Sequence, residues 1–479
     1  MSNLLASLVS TAGALNAYNQ VLDVTQNNVA NASTPGYAKQ RQLLYAMPFD
    51  PSLGSTGGVR AGTIQSSRDQ YAEQAVRQQS SLLGQAQQNV NSYTAMQSLF
   101  DISGGSGVPS ALNKLFQSFS AWGQTPGSTV ARQTVIERAT DVATAFRQTA
   151  TGLTKVSQDT GQQVNQTVDQ VNRLTSQLAG FNTQMMRSTN NDAGLEAQLN
   201  ATLEELSQYV DITAAKQGDR SVTVLLNGQI PLLIGDQTFA LHSSPISPDP
   251  SAPYPAAPPT ARILASDGKD VTLHITTGQL GSLLNLANTV LPGYLGDATH
   301  AGDLNTMAQT FAKRVNDLLI NGYAIDGAPP QAGVALFTYD QDHPTNVAMT
   351  IGVDPTVTTD QLAAISPGPP LVSNGVPLAL SQLSSPQSPD DEIGGASYSE
   401  FFGGLAARVG SGLNDATSQL QVQQSTLAQA QSLRQQLSGV SLDEEATILI
   451  QFQRAYEANS KLISVLDQLT QDTINILRT

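Results

Sequence analysis

The sequence predicts an α+β protein of nested, elongated, multi-domain layout, and three observations carry that reading. Apolar residues recur every seven positions at both ends of the chain, the pattern of long helices. Much of the chain between them keeps a helical period in Gln-, Thr- and Ala-rich stretches. Near Val210 the period drops to two, and Asn-Gly and Asp-Gly pairs punctuate short apolar runs. The terminal helices are expected to form an α-helical coiled coil, the inner helices a bundle layer, and the remainder a distal β-rich domain. At 479 residues and roughly 100–200 residues per domain, about three parts are expected. Residues 1–45 with 437–479 make the terminal part, and 46–209 with 278–330 and 395–436 the mainly helical part. Residues 210–277 with 331–394 make the β-rich outer part with its Pro-rich loops.

Leu8, Leu15, Leu22 and Val29 define the first helix, over residues 3–31, about 43 Å long at 1.5 Å per residue. It ends in NNVANASTPGY. Asn27 and Asn31 are one helical turn apart, with Asn28 beside them, and buried amides at a packing seam fix register at some cost in stability. Thr34-Pro35-Gly36-Tyr37 then forces the exit, because Pro35 pre-sets φ and Gly36 allows the positive φ of a type II turn. Residues 68–100 read as helix, with Tyr71, Ala75, Leu82, Ala86, Val90, Tyr93 and Leu99 on one face. Helices follow over 110–121 and 129–209, broken around Pro126-Gly127 and Asn190–Gly194.

SVTVLLNGQIPLLI (221–234) predicts a hairpin turning at Asn227-Gly228, and ARILASDGKDVTLHI (261–275) another at Asp267-Gly268. SSPISPDPSAPYPAAPP (243–259) between them is too rich in proline for a paired strand. Helix resumes over 278–321, strands are expected within 333–353, and a last helical block starts near Tyr398. Ser441-Leu442-Asp443-Glu444 is a capping-box pattern that opens the final helix. Ile448, Ala455, Leu462, Leu469 and Ile476 lie seven apart along it, with Leu449, Tyr456 and Ile463 beside them and Phe452 and Leu466 widening the face. No Gly or Pro interrupts residues 441–479, about 58 Å of helix. Each terminal stripe needs a partner, and the economical solution pairs them with each other.

Composition argues against several functions. Twenty-three Lys and Arg against 38 Asp and Glu give a net charge of −15 without a basic stripe, which speaks against nucleic acid and anionic membranes. No cysteine is present, so structural disulfides, thiolate catalysis and Cys-ligated metals are out. No run approaches the roughly 18 apolar residues of a membrane span, and Met1–Ala12 lacks the pattern of a cleaved signal. His242, His274, His300 and His343 are scattered without metal-ligand spacing. Asp340 and Asp342 begin like a calcium loop, but Thr345 and Ile351 occupy the turn-glycine and acid positions. Asp390-Asp391-Glu392 reads as a solvated acidic cluster, and Gly104-Gly105 lacks the Lys-Ser/Thr of a phosphate loop. No catalytic, cofactor-binding or metal-ligating residue is assigned, no cofactor is expected, and the chain is read as a non-enzyme.

Two terminal segments carry a resemblance. ALNAYNQVLDVTQNNVANASTPGYAKQR (14–41) resembles the N-terminal motif shared by flagellar rod, hook and hook-associated proteins. LSGVSLDEEATILIQFQRAYEANSKLISVLDQL (437–469) resembles their matching C-terminal motif. LNKLFQSFSAWGQTPGSTVARQTVIERA (112–139), with Phe116, Phe119 and Trp122 on one helix, is similar to a segment of the hook-associated protein 1 family, the hook–filament junction proteins. NATLEELSQYVDI (200–212), GQLGSLLNLANTVLPGYLGD (278–297) and VNDLLINGYAIDG (315–327) are similar to further stretches of that family. The likeness covers about two-thirds of the chain and is weakest across 235–262 and 340–400, where the sequence is short for the family.

The resemblance implies a structural subunit of the bacterial flagellum that joins hook to filament and assembles head-to-tail through its terminal helices around a central channel. Implied partners are further copies of the chain, hook protein below, a second junction protein and flagellin above, and an export chaperone. The implied location is extracellular, at the hook–filament junction, reached by flagellar type III export without a cleaved signal. Assembly positions are expected at Leu8, Leu15, Leu22, Asn27, Asn28, Asn31, Pro35, Gly36 and Tyr37, and at Leu449, Phe452, Tyr456, Ile463 and Leu466. The terminal stripes are expected to stay poorly ordered in a free monomer until neighbouring subunits complete the seam. A hook or rod subunit is the nearest alternative. A rod-associated peptidoglycan hydrolase would need a carboxylate in a cleft, and a secreted adhesin would leave the paired terminal motifs without a role.

Overall fold

A computed structural model describes residues 2–50, 55–101, 106–188, 192–325 and 330–476. The Gly104-Gly105 pair, Asn190 of the expected helix break, Asp326-Gly327 at the end of the 315–327 segment and the last three residues lie outside the described residues.

The chain opens with α1 (Ser2–Ala30), then β1 (Gln40–Asp50) and β2 (Ser55–Ser66). Four helices follow: α2 (Gln70–Gln97), α3 (Gly107–Gln124), the 59-residue α4 (Thr129–Arg187) and α5 (Ala193–Tyr209). Next come β3 (Ile212–Lys216), β4 (Val222–Leu226), β5 (Ile230–Ile234), β6 (Gln237–Thr238), β7 (His242–Ser243) and β8 (Ile263–Leu264). Helix α6 (Gly278–Asn285) runs through a π-helical stretch (Leu286–Val290) into α7 (Leu291–Leu295), followed by α8 (Asp303–Ile320). Short elements β9 (Tyr323–Ile325), β10 (Gln331–Ala332), β11 (Phe337–Thr338), α9 (Val347–Thr350), β12 (Gly352–Val353) and α10 (Gly375–Gln382) lead to α11 (Tyr398–Ser438) and α12 (Leu442–Ile476).

These elements form two compact units. The first comprises residues 1–81, 172–239 and 424–479, and takes in the expected terminal part together with the β3–β6 sheet, which the sequence reading assigned to the outer part. Its sheet is antiparallel in sequential order, and β4 turns into β5 at Asn227 (φ 46°) and Gly228 (φ 67°), the two positive φ values a type I′ hairpin requires. The β1–β2 ribbon pairs from Gln40↔Ser66 to Asp50↔Ser55, in a stretch between helices where the sequence predicts no strand. Its alternation is masked, because Leu43 to Met47 is an unbroken run of apolar residues.

The second unit comprises residues 82–171 and 240–423. Its core gathers Trp122, Phe119, Phe146, Phe311, Tyr398 and Phe402, all fully buried. Phe311 lies at the centre, with ring centroids 6.3 Å from Phe116, 5.6 Å from Phe337 and 5.2 Å from Tyr398. The expected second hairpin turns at Asp267-Gly268 but is short: Leu264 bridges Asp270, Ala265 N–H donates to Lys269 O at 2.8 Å and Val271 N–H to Ile263 O at 2.9 Å, while β8 also pairs with β7. The stretch expected to hold strands over 333–353 contains only β11 and β12, two residues each, and the short α9 between them. Asp391 is not merely solvated, since Arg314 Nε donates to it at 2.7 Å.

Candidate assembly site

Helices α1 and α12 pack on one another within the first unit. On α1 the buried positions are Ala14, Ala17, Val21, Thr25 and Asn28, spaced by three and four. Small residues here let the helix axes approach, while Leu8, Leu15 and Leu22 sit half-buried on the flank and Val29 is exposed. On α12 the half-buried positions include Leu449, Phe452, Tyr456, Ile463 and Leu466, again at heptad spacing. Tyr18 meets Phe452 edge-to-face at 5.6 Å between ring centroids. The seven-spaced series that begins at Ile448 lies one residue to the side of this seam. Its later members Leu462 and Leu469 are 51% and 49% exposed, and Val465 beside them is also exposed.

Where the seam begins, the two ends of the chain are tied by polar contacts. Thr34-Pro35-Gly36-Tyr37 makes the expected turn, with Tyr37 N–H donating to Thr34 O at 3.1 Å and Gly36 at φ 73°. A Cβ on Gly36 would lie 2.4 Å from Ala197 O of α5, so the turn needs glycine for both conformation and space. Pro35 is exposed at its tip. The turn carries the chain back across the end of α1, where Asn28 is buried with all of its amide in use. Its Nδ2 donates to Gln40 O at 2.9 Å and to Glu445 Oε2 at 3.0 Å, and its Oδ1 accepts from Gln40 N–H and the Tyr37 hydroxyl, both at 2.9 Å. Glu445 is 1% exposed, and Lys39 Nζ lies 3.0 Å from it and 2.9 Å from Glu444. Lys39 N–H donates to Ser438 O, and Ser438 Oγ accepts from Asp69 N–H, each at 2.9 Å.

Asn27 and Asn31 face outward and bond to each other, Nδ2 of Asn31 donating to Oδ1 of Asn27 at 2.7 Å. The electrostatics follow from burial. Desolvation and the nearby Glu445 charge push the Tyr37 phenol up to about 12. Burial opposes the charge on Lys39, but its bonds to Glu444 and Glu445 outweigh that and raise its pKa.

Of the positions expected from sequence, Asn28, Gly36 and Tyr37 meet in this joint. Gln40, Lys39, Ser438 and Glu445 were not anticipated. Glu445 had a signal: it stands seven residues before Phe452, a carboxylate on the apolar seam. The capping box is half made, since Glu444 N–H donates to Ser441 Oγ at 3.4 Å while its carboxylate reaches Lys39. Among the described residues no cluster of three or more metal-ligating groups occurs, and no helix is long and apolar enough to cross a membrane.

A chain that ties α1 to α12 with amides and a buried carboxylate bonded to lysine, and leaves an apolar stripe exposed farther along α12, has the features of a structural assembly subunit. The comparisons give that class a family. The family model described as flagellar hook-associated protein FlgK helical domain matches residues 93–337, and that of the flagellar basal body rod FlgEFG protein C-terminal matches 422–476. The chain belongs to the flagellar hook-associated protein FlgK family. It is 27% identical over 512 residues to flagellar hook-associated protein 1 of Bacillus subtilis (strain 168), covering 99% of each chain. The protein of the same description from Escherichia coli (strain K12) is 22% identical over 566 residues, covering 98% of this chain and 100% of the relative. The solved structure of the flagellar hook junction protein FlgK from Burkholderia pseudomallei shares the fold, with a TM-score of 0.62 at 14% identity, over 76% of this chain and 99% of that one.

Proposed function

We propose that this chain is a structural subunit at the hook–filament junction of the bacterial flagellum, assembling with copies of itself through α1 and α12. The observation that carries the assembly is the division of labour on α12. One face packs toward α1 and is locked by Asn28 and Glu445, while Leu462, Val465 and Leu469 form a second apolar stripe that the chain itself leaves exposed. A second copy offers the matching surface, and a head-to-tail contact of this kind propagates a ring or helical layer. Hook protein below, a second junction protein and flagellin above, and a chaperone during export are the partners this reading requires. Transit by the flagellar type III route, without a cleaved signal, goes with it. Asn27, Asn31 and Pro35, exposed or half-exposed beside the joint, are placed to meet a neighbour. The folded pairing of α1 with α12 within one chain bears on the expectation of disordered ends: neighbours are needed for the outer stripe, and the inner seam is already filled.

An epitope inserted in the Pro-rich loop between Pro245 and Pro258 leaves both termini unaltered. Gold labelling of flagella should give a compact band at the hook–filament boundary. Label along the hook, in the rod, or nowhere on the flagellum would overturn the junction reading.

A further inference from the structure

Arg77 lies on α2, one turn beyond Glu73, and is only 7% exposed. Its Nε has no hydrogen-bond partner among the described residues, and neither has Nε of Arg68. The carboxylates nearby are already engaged. Glu73 accepts from Arg68 Nη1 and, at 3.3 Å, from Arg434 Nη1, which also lies 2.6 Å from Glu204, while Arg68 Nη2 donates to Gly36 O at 2.6 Å. Glu196 is 3.3 Å from Lys216 Nζ and 3.6 Å from Arg68 Nε, the latter too long for a hydrogen bond. Beside these groups is a cavity of about 210 Å³ whose charged lining is Arg68, Glu73, Arg77, Glu196, Lys216 and Arg220. Four cations face two carboxylates there, in a chain whose net charge is −15.

A buried guanidinium with unused donors is costly unless an acceptor satisfies it. Burial holds Arg77 below the ordinary arginine range despite the attraction of Glu73. The cavity is smaller than the roughly 300–1,000 Å³ of drug-sized sites, which suits a compact group with several acceptor oxygens. The two unpartnered Nε–H groups, one from each guanidinium, can each give a charge-assisted bond to such an oxygen.

We propose that this cavity binds a small oxyanion, of the phosphate or carboxylate kind, on Arg77 and Arg68, with Lys216 and Arg220 at its rim. The anion is either free in solution or an acidic side chain from another copy of this strongly acidic chain. The proposal stands independently of the junction reading, because it rests on the first unit of a single chain.

The test uses the full-length protein and inorganic phosphate, by calorimetric titration and by thermal unfolding against sodium chloride of equal ionic strength. Phosphate should raise Tm beyond the chloride control in a saturable way, as a ligand of the folded state does. Arg77→Met, which fills the site with an apolar side chain, should abolish the effect. Should that variant fold poorly, the rim pair Lys216→Met/Arg220→Met should weaken phosphate binding about tenfold or more, the loss of one or more charge-assisted hydrogen bonds. Phosphate that also disperses associated copies at high protein concentration identifies the acidic side chain as the native occupant. Phosphate that binds without that effect identifies a free anion. Equal stabilisation by chloride, or binding indifferent to both variants, overturns the proposal.

Discussion

The second unit holds its helices by apolar packing around Trp122, Phe311 and Tyr398, whereas the first ties helix ends with amides, a buried carboxylate and a lysine. The difference is one of purpose. Apolar packing tolerates sliding and repacking but stabilises strongly, so it suits a body that must stay folded by itself. A polar joint contributes less net energy and penalises every wrong register, because each slipped arrangement leaves a buried group unpaired. The first unit thus fixes where α12 starts against α1 and leaves a second apolar face of α12 exposed.

The sharpest contrast should come from the aromatic core. Phe311→Ala removes a ring packed against three others and is expected to destabilise the second unit by about 3–5 kcal/mol. Urea unfolding followed by the fluorescence of the single Trp122 reads that unit directly. Asn28→Ala should cost about 1–3 kcal/mol, because the buried Gln40 backbone groups and Glu445 Oε2 lose their amide partner. Its effect should appear as faster hydrogen exchange in α1 and α12 with the Trp122 transition unmoved. A shifted Trp122 transition would show that the joint also supports the core.

Alkaline pH offers a subtler comparison, since each unit holds one phenol near 12, Tyr37 in the first and Tyr398 in the second. Both folded values lie above the ordinary 10.0, so their contribution to stability is full below about pH 10 and is lost as pH rises towards 12. In an ultraviolet titration Tyr37→Phe should delete one phenol from this late-ionising group and leave that of Tyr398 in place. The smallest effect on the monomer is expected at the outer stripe. Leu469→Ser should change stability by less than about 0.5 kcal/mol, as surface changes do, yet impair incorporation into flagella, measured by labelling and by motility.

The helical frame was legible because long heptad patterns, a capping serine and the Pro126-Gly127 break are local signals. The Asn227-Gly228 turn and the Gly36 turn were legible for the same reason. What was hidden depends on distant partners. Tyr71, expected on the packed face of α2, is exposed, and beside Ala72, Val76, Ala86 and Met96 that helix buries Ser80, Ser81, Gln88 and Ser92. Polar residues of that kind give no periodic apolar signal. In the joint, Asn28 stood out as an amide at a helix end, but its bond to Glu445 spans 417 residues and no local rule anticipates it.

On the proposed function, the outer stripe of α12 is covered by another copy while the inner seam packs within the chain. The chain has no cysteine, so Leu469→Cys supplies a single thiol on that stripe. Its rate of reaction with a maleimide should be measured in the purified monomer and in intact flagella. Rapid labelling in the monomer and strong protection in flagella is the expected result. Equal labelling in both would rule out assembly through this stripe, because it would then face solvent in the flagellum.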